Sequence, residues 1–176
     1  WITQFLIGVP LGGPAMDALP SGSEHRAKFR ASCVGMLALG FLLAVSDRHQ
    51  ANILRLVDGT FCHIDFGRVL ADRVVIEASY FPLPFFVHAA FESPSQKLVL
   101  RELVWSAICS ARAREAELVY LAHYFFSHDH ASVFRSRLRV SREKFDIWYA
   151  EYFWTLVKTG QYKLSSAFTK LLSRKK

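Results

Sequence analysis

Glycine and proline are scarce after Pro20, cysteine is rare throughout, and no apolar run reaches the length of a bilayer-spanning helix. The first shortage, together with Leu, Phe, Val and Trp spread along the whole chain, excludes disordered, low-complexity and fibrous classes. Three cysteines, Cys33, Cys62 and Cys109, are odd in number and sit in apolar contexts, so buried, reduced thiols are expected. The longest apolar run, Cys33 to Val45, is too short for a bilayer and contains Gly35 and Gly40, which reads as a buried core helix. Nucleic-acid motifs are also missing, and Lys and Arg are scattered rather than gathered into one stripe, so no nucleic-acid partner is expected. The first residues resemble neither a signal peptide nor a clean domain start, and Trp1 is expected to lie inside a larger sequence.

What is present is an apolar content of 52%, ample for the core of one domain or one large lobe, and a net charge of +7 that suits an anionic partner such as a nucleotide or a membrane surface. Residues 8–23 carry Gly8, Pro10, Gly12, Gly13, Pro14, Pro20, Ser21, Gly22 and Ser23, a breaker density that predicts a loop. No strand, Lys or Ser/Thr follows Gly12 and Gly13 in the places a phosphate cradle needs. From Ser23 the spacing of Phe29, Cys33, Met36, Leu37, Phe41 and Leu42 predicts a central helix. Two short apolar runs, Ile53 to Val57 and Phe61 to Ile64, joined through Asp58-Gly59, predict a β-hairpin. The segment from Phe66 to Phe86 shows no period and reads as a long functional loop. Beyond it, Ser93-Pro94 with Gln96 caps a helix containing Leu98, Leu103, Val104 and Ile108. A second helix is expected over Glu115 to Phe126, and a third opens at Ser141 with Phe145, Trp148, Tyr149, Tyr152, Phe153 and Leu156 as core aromatics and aliphatics.

The polar residues crowd where the central helix ends. Asp47-Arg48-His49-Gln50-Ala51-Asn52 is followed, across the hairpin, by His63-Ile64-Asp65-Phe66-Gly67. One loop and one hairpin thus bring together two carboxylates, an imidazole and an amide. Phosphoryl transfer needs such a set: hard oxygen ligands for magnesium, and a group that orients the attacking hydroxyl and takes its proton.

At these residues the chain resembles the phosphoinositide 3-kinase superfamily, which includes phosphatidylinositol 3- and 4-kinases and the related large protein kinases. That family writes Asp-Arg-His-x-x-Asn and continues to His-Ile-Asp-Phe-Gly at the spacing seen here. Phe29-Arg30-Ala31-Ser32-Cys33-Val34-Gly35 resembles the helix before the loop, and Phe153 to Val157 and Ser165 to Lys170 resemble the last two helices. The resemblance implies a mostly α-helical α+β fold, the C-terminal lobe of a protein-kinase-like domain over residues 1–176, with a small hairpin at the active site and the N-terminal lobe absent. Residues 47–52 then form the catalytic loop and 65–86 the activation loop. It implies that Asn52 and Asp65 coordinate magnesium, that Asp47 and His49 handle the substrate hydroxyl, that Arg48 holds the loop, and that Phe66 and Gly67 set the geometry around Asp65. His63 reads equally well as a packing residue.

The implied function is transfer of the ATP γ-phosphoryl group to an inositol hydroxyl of phosphatidylinositol, with ATP and Mg2+ as cofactors, most like a phosphatidylinositol 3-kinase. A serine/threonine protein kinase of the related family and an inactive scaffold are the alternatives. Arg68 and Arg73 are offset by Asp72 and Glu77, which points to an unphosphorylated headgroup. Ser46 stands where the family generally has glycine. No glycine-rich strand-turn-strand with a following Lys precedes the loop, so the chain reads as a fragment, inactive as an isolated lobe. A cytoplasmic protein, peripheral on membranes and open to regulatory subunits, is expected, with Tyr80 to Phe86 and the basic stretch Phe168 to Lys176 as the membrane-facing candidates.

Overall fold

The computed structural model of the chain describes residues 8–10, 23–46, 52–70, 91 and 93–149. Helix α1 (Ser23–Leu42) is its axis. Phe29, Cys33, Leu37 and Phe41 recur every fourth residue and, with Ala38 and Leu42, turn one face of the helix inward. Burial drives the Cys33 thiol well above its ordinary pKa, as an inert core thiol requires. All three cysteines are free, and Cys62 and Cys109 are only partly covered.

Strands β2 (Ile53–Leu56) and β3 (Phe61–His63) form the expected hairpin, with Ile53 opposite His63 and Arg55 opposite Phe61. Its connection is longer than a two-residue turn. Gly59 N donates to Leu56 O at 3.0 Å, Leu56 N donates to Thr60 O at 2.8 Å, and Asp58 Oδ1 accepts from Thr60 N at 2.9 Å. Gly59 takes up the left-handed backbone with φ 89°, which closes a three-residue loop without splaying the strands. Residues 8–10 depart from the loop reading: β1 (Gly8–Pro10) pairs antiparallel with β2, Val9 opposite Arg55, giving a three-stranded sheet in the order β1-β2-β3. Three residues are too few to show a period, and a proline is tolerated on an edge strand. Residues 11–22 lie outside the described residues.

The sheet is locked to α1 by a side chain the apolar pattern does not register. Ser32 Oγ accepts from Phe61 N at 2.8 Å while returning its own proton to the helix carbonyls of Lys28 or Phe29. Phe29 and Phe61 meet edge to face directly beneath it, 5.9 Å between centroids.

Helix α2 (Pro94–Arg112) starts as the sequence predicts, with Ser93 Oγ accepting from Gln96 N, Gln96 Oε1 accepting from Ser93 N, and Pro94 in the first turn. It packs on α1 through Leu100, Val104 and Ile108, all fully buried. Helix α3 (Glu115–Phe125) follows, and α4 (His128–Leu138), capped by Ser127, packs against it. The sequence reading has no α4, because its buried positions Ala131, Phe134 and Leu138 are interspersed with His, Asp and Arg that dilute the apolar period. A last helical run over 142–149 returns Phe145 and Tyr149 to the core; Tyr152, Phe153 and Leu156 lie outside the described residues.

Arginines hold the helix ends. Arg112 donates through Nε to Leu138 O and through Nη2 to Val140 O, both at 2.6 Å, satisfying carbonyls left open where α4 ends. Its guanidinium and that of Arg142 each lie 5.3 Å from the centre of the Trp105 ring. Arg142 also makes a two-pronged pair with Glu102 at 2.9 and 2.6 Å. No helix among the described residues is long and apolar enough to cross a membrane.

Two stability measurements follow. A Cβ on Gly59 would lie 2.6 Å from His25 O in a backbone that already disfavours side chains, so Gly59→Ala should lower the unfolding free energy by about 2 kcal/mol or more, read from urea midpoints. An unchanged midpoint would contradict the turn geometry. Hydrogen bonds from Arg142, and then from Arg101, hold the Glu102 carboxyl down to about 2, below its ordinary 4.5. A carboxylate depressed in the folded state stabilises fully above the unfolded value and loses that contribution as pH falls from about 4.5 towards 2. Both partners are substantially exposed, so the effect is small: Glu102→Gln should melt slightly below the parent at neutral pH, and the two melting temperatures should converge near pH 2.

Candidate functional site

The site is built where α1 ends. Ala44 N donates to Phe41 O at 3.2 Å and Val45 N to Gly40 O at 2.9 Å, the five-to-two and six-to-one bonds of a helix stop with Ala44 in left-handed backbone, φ 47°. The chain then turns through Val45 and Ser46, both buried, towards Asp47. Asp47, Arg48 and His49 themselves lie outside the described residues.

On the other side, the hairpin register brings Asn52 to the end of β2 opposite Ile64, whose N donates to Asn52 O at 2.9 Å. Asp65 is the next residue. The two residues that the family resemblance implies for metal binding therefore stand one position apart across the open end of the hairpin, Asn52 buried and Asp65 exposed. Asp65 also has left-handed backbone, φ 59°, and its Oδ1 accepts from Gly67 N at 3.1 Å, which fixes the carboxylate's direction. A Cβ on Gly67 would come to 3.1 Å from that same oxygen, so a side chain there would crowd the carboxylate. Phe66 between them is exposed. His63 packs: it is buried, its ring meets Phe61 at 5.2 Å, and its Cε1 faces Gly40 of α1, where a Cβ would sit 3.9 Å away.

After Gly67 the chain runs back along the end of α1. Ser46 N donates to Arg68 O at 3.0 Å and Leu70 N donates to Leu43 O at 2.7 Å. Leu70 is buried with φ 64°. Ala44, Asp65 and Leu70 are the non-glycine residues with positive φ among the described residues, and all three belong to this junction. Left-handed backbone in such residues costs on the order of 1 kcal/mol each and persists where the surroundings over-determine it, which is common at functional sites. Residues 71–86, part of the loop expected over 65–86, lie outside the described residues, as do 168–176.

The donor set suits a hard cation. An amide oxygen and a carboxylate are hard oxygen donors of the kind magnesium takes, rather than the nitrogen and sulfur donors of zinc. Among the described residues no group of three or more His, Cys, Asp or Glu gathers as a metal cluster.

Comparison with known proteins decides the kinship. A family model described as phosphatidylinositol 3- and 4-kinase matches residues 17–119. The chain belongs to the phosphatidylinositol 3- and 4-kinase family. Phosphatidylinositol 3-kinase age-1 of Caenorhabditis briggsae is 34% identical over 62 residues, 34% of this chain and 5% of that protein. The age-1 protein of Caenorhabditis elegans is 40% identical over 54 residues, 31% of this chain and 5% of that protein. Phosphatidylinositol 3-kinase pik3 of Schizosaccharomyces pombe is 49% identical over 39 residues, 22% of this chain and 5% of that protein. The matched stretches thus span only 5% of the length of these kinases. The matched family segment runs from before α1 to within α3 and includes the whole junction.

Sequence reasoning missed Ala44 and Leu70, whose roles are backbone conformations with no side-chain signature. The first is testable. Ala44→Gly should raise stability, by up to about 1 kcal/mol in urea unfolding, because relief of the left-handed strain outweighs the extra entropy of an unfolded glycine. A loss of stability would contradict the helix stop described above.

Proposed function

We propose that the chain supplies the catalytic face of the C-terminal lobe of a phosphatidylinositol kinase, transferring the ATP γ-phosphoryl group to an inositol hydroxyl. The observation that carries this is the hairpin register that sets Asn52 beside Asp65 at the end of α1. In this reading Asn52 and Asp65 would hold magnesium. When bound, the ion neutralises charge on the phosphate oxygens and fixes their position. The hydrogen bond from Gly67 N would hold the Asp65 carboxylate in one orientation for such an ion. Asp47 and His49, by resemblance to the family, orient the substrate hydroxyl and accept its proton, and Arg48 anchors their loop. Phosphoryl transfer is chiefly positioning plus electrostatics, so a rigid junction between the two loops is the protein's main contribution.

Phosphatidylinositol itself, rather than a more phosphorylated lipid, is the proposed acceptor, since the segment from Gly67 to Phe86 has no net positive charge. The relatives' names, all phosphatidylinositol 3-kinases, support a lipid acceptor and the 3-kinase reading. Action on a lipid implies work at a membrane surface from the cytoplasmic side, where the net positive charge helps.

The test is magnesium-dependent transfer of labelled γ-phosphate to phosphatidylinositol by the full-length protein. Asp65→Asn should reduce transfer at least about a hundredfold while leaving the melting temperature near that of the parent. Transfer to protein but not to lipid would replace the acceptor, and no transfer to either would reduce the lobe to a scaffold.

A further inference from the structure

Arg137 lies on α4, outside the segment that matches the family model and 72 residues beyond Asp65. It occupies the inward face, beside Phe134 and Leu138, and is 5% exposed. A guanidinium is retained at such depth only where its donors are used. Nη1 donates to Phe41 O at 2.7 Å, and the guanidinium carbon stands 5.2 Å from the centre of the Phe41 ring. The accepting carbonyl is not an arbitrary one. Phe41 O also receives Ala44 N, the bond that ends α1 and sends the chain towards Asp47. Two residues further on, Leu43 O receives Leu70 N, and Ser46 N reaches Arg68 O. The buried cation therefore grips the helix stop from which both arms of the site hang.

We propose that Arg137 is a positioning residue for phosphoryl transfer: through Phe41 O it sets the helix stop that aligns the loop beginning at Asp47 with the segment carrying Asp65. It touches neither substrate nor metal. Its contribution is to keep the strained turn at Ala44, and with it the backbone bonds to Arg68 and Leu70, in one arrangement. Arginine suits the task because its planar fork can hold the carbonyl while its face stays on the Phe41 ring; lysine can offer the hydrogen bond alone.

The inference rests on the kinase reading for its catalytic consequence but not for its structural one, and the test separates them. Amide hydrogen exchange and phosphoryl transfer are measured on the full-length protein with Arg137→Met and Arg137→Lys. Exchange at Ser46 and Leu70 should quicken about tenfold or more in Arg137→Met and by less in Arg137→Lys, while Leu100 and Val104 in the core of α2 keep their protection. In parallel, kcat should fall on the order of tenfold to a hundredfold in Arg137→Met, with KM for ATP unchanged and partial rescue in Arg137→Lys. Should Arg137→Met not fold, the selective rise in Arg137→Lys carries the comparison. Equal loss of protection in α2, or none at Ser46 and Leu70, overturns the proposal. If the parent protein transfers no phosphate while the exchange pattern appears as expected, the positioning role stands and the functional reading falls.

Discussion

Two backbone hydrogen bonds, Ser46 N to Arg68 O and Leu70 N to Leu43 O, hold the architecture of the site together. They join the chain leaving α1 to the chain leaving β3, two segments that would otherwise be independent loops on the surface. Everything nearby is arranged to make those bonds possible. The helix must stop abruptly, which Ala44 achieves by accepting left-handed backbone. The returning chain must bend sharply twice, which Asp65 and Leu70 achieve in the same way.

That arrangement stores strain, and the strain is offset by burial on both sides. Leu70, Val45 and Ser46 are all withdrawn from solvent, α1 beneath them is packed by Cys33, Leu37 and Phe41, and the hairpin is fastened to α1 through Ser32 and the Phe29–Phe61 contact. The helices α2 and α4 also pack against α1, so the helix whose end forms the junction is itself held in the core. Rigid scaffold below and exposed polar groups above is how a positioned reaction centre is built.

The sequence makes the frame legible because apolar spacing is strong where burial is strong. Helix α1 starts at Ser23 as the spacing indicates, α2 opens with the Ser93, Pro94 and Gln96 cap, and the Asp58-Gly59 pair marks the hairpin. Asn52 and Asp65 are candidates through the family resemblance, and the hairpin register sets their backbones one position apart. Three kinds of feature are not legible. Strand β1 is too short and too rich in Gly and Pro to show alternation. Helix α4 hides its three buried apolar residues among charges. The functions of Ala44, Leu70, Ser32 and Arg137 lie in backbone angles or in single long-range bonds, and residue spacing carries no record of either. Arg137 leaves the one usable hint, a cation placed on the apolar face of its own helix.

The central claim is that the hairpin and the α1 terminus together make one cation site at Asn52 and Asp65. Paramagnetic broadening by manganese in the presence of ATP tests it most directly, because it reports where the metal sits irrespective of turnover. With methyl-labelled isoleucine in the full-length protein, the account expects Ile64 and Ile53 to broaden first and Asp65→Asn to abolish the effect. Broadening that spares both isoleucines, or that survives in Asp65→Asn, would contradict it.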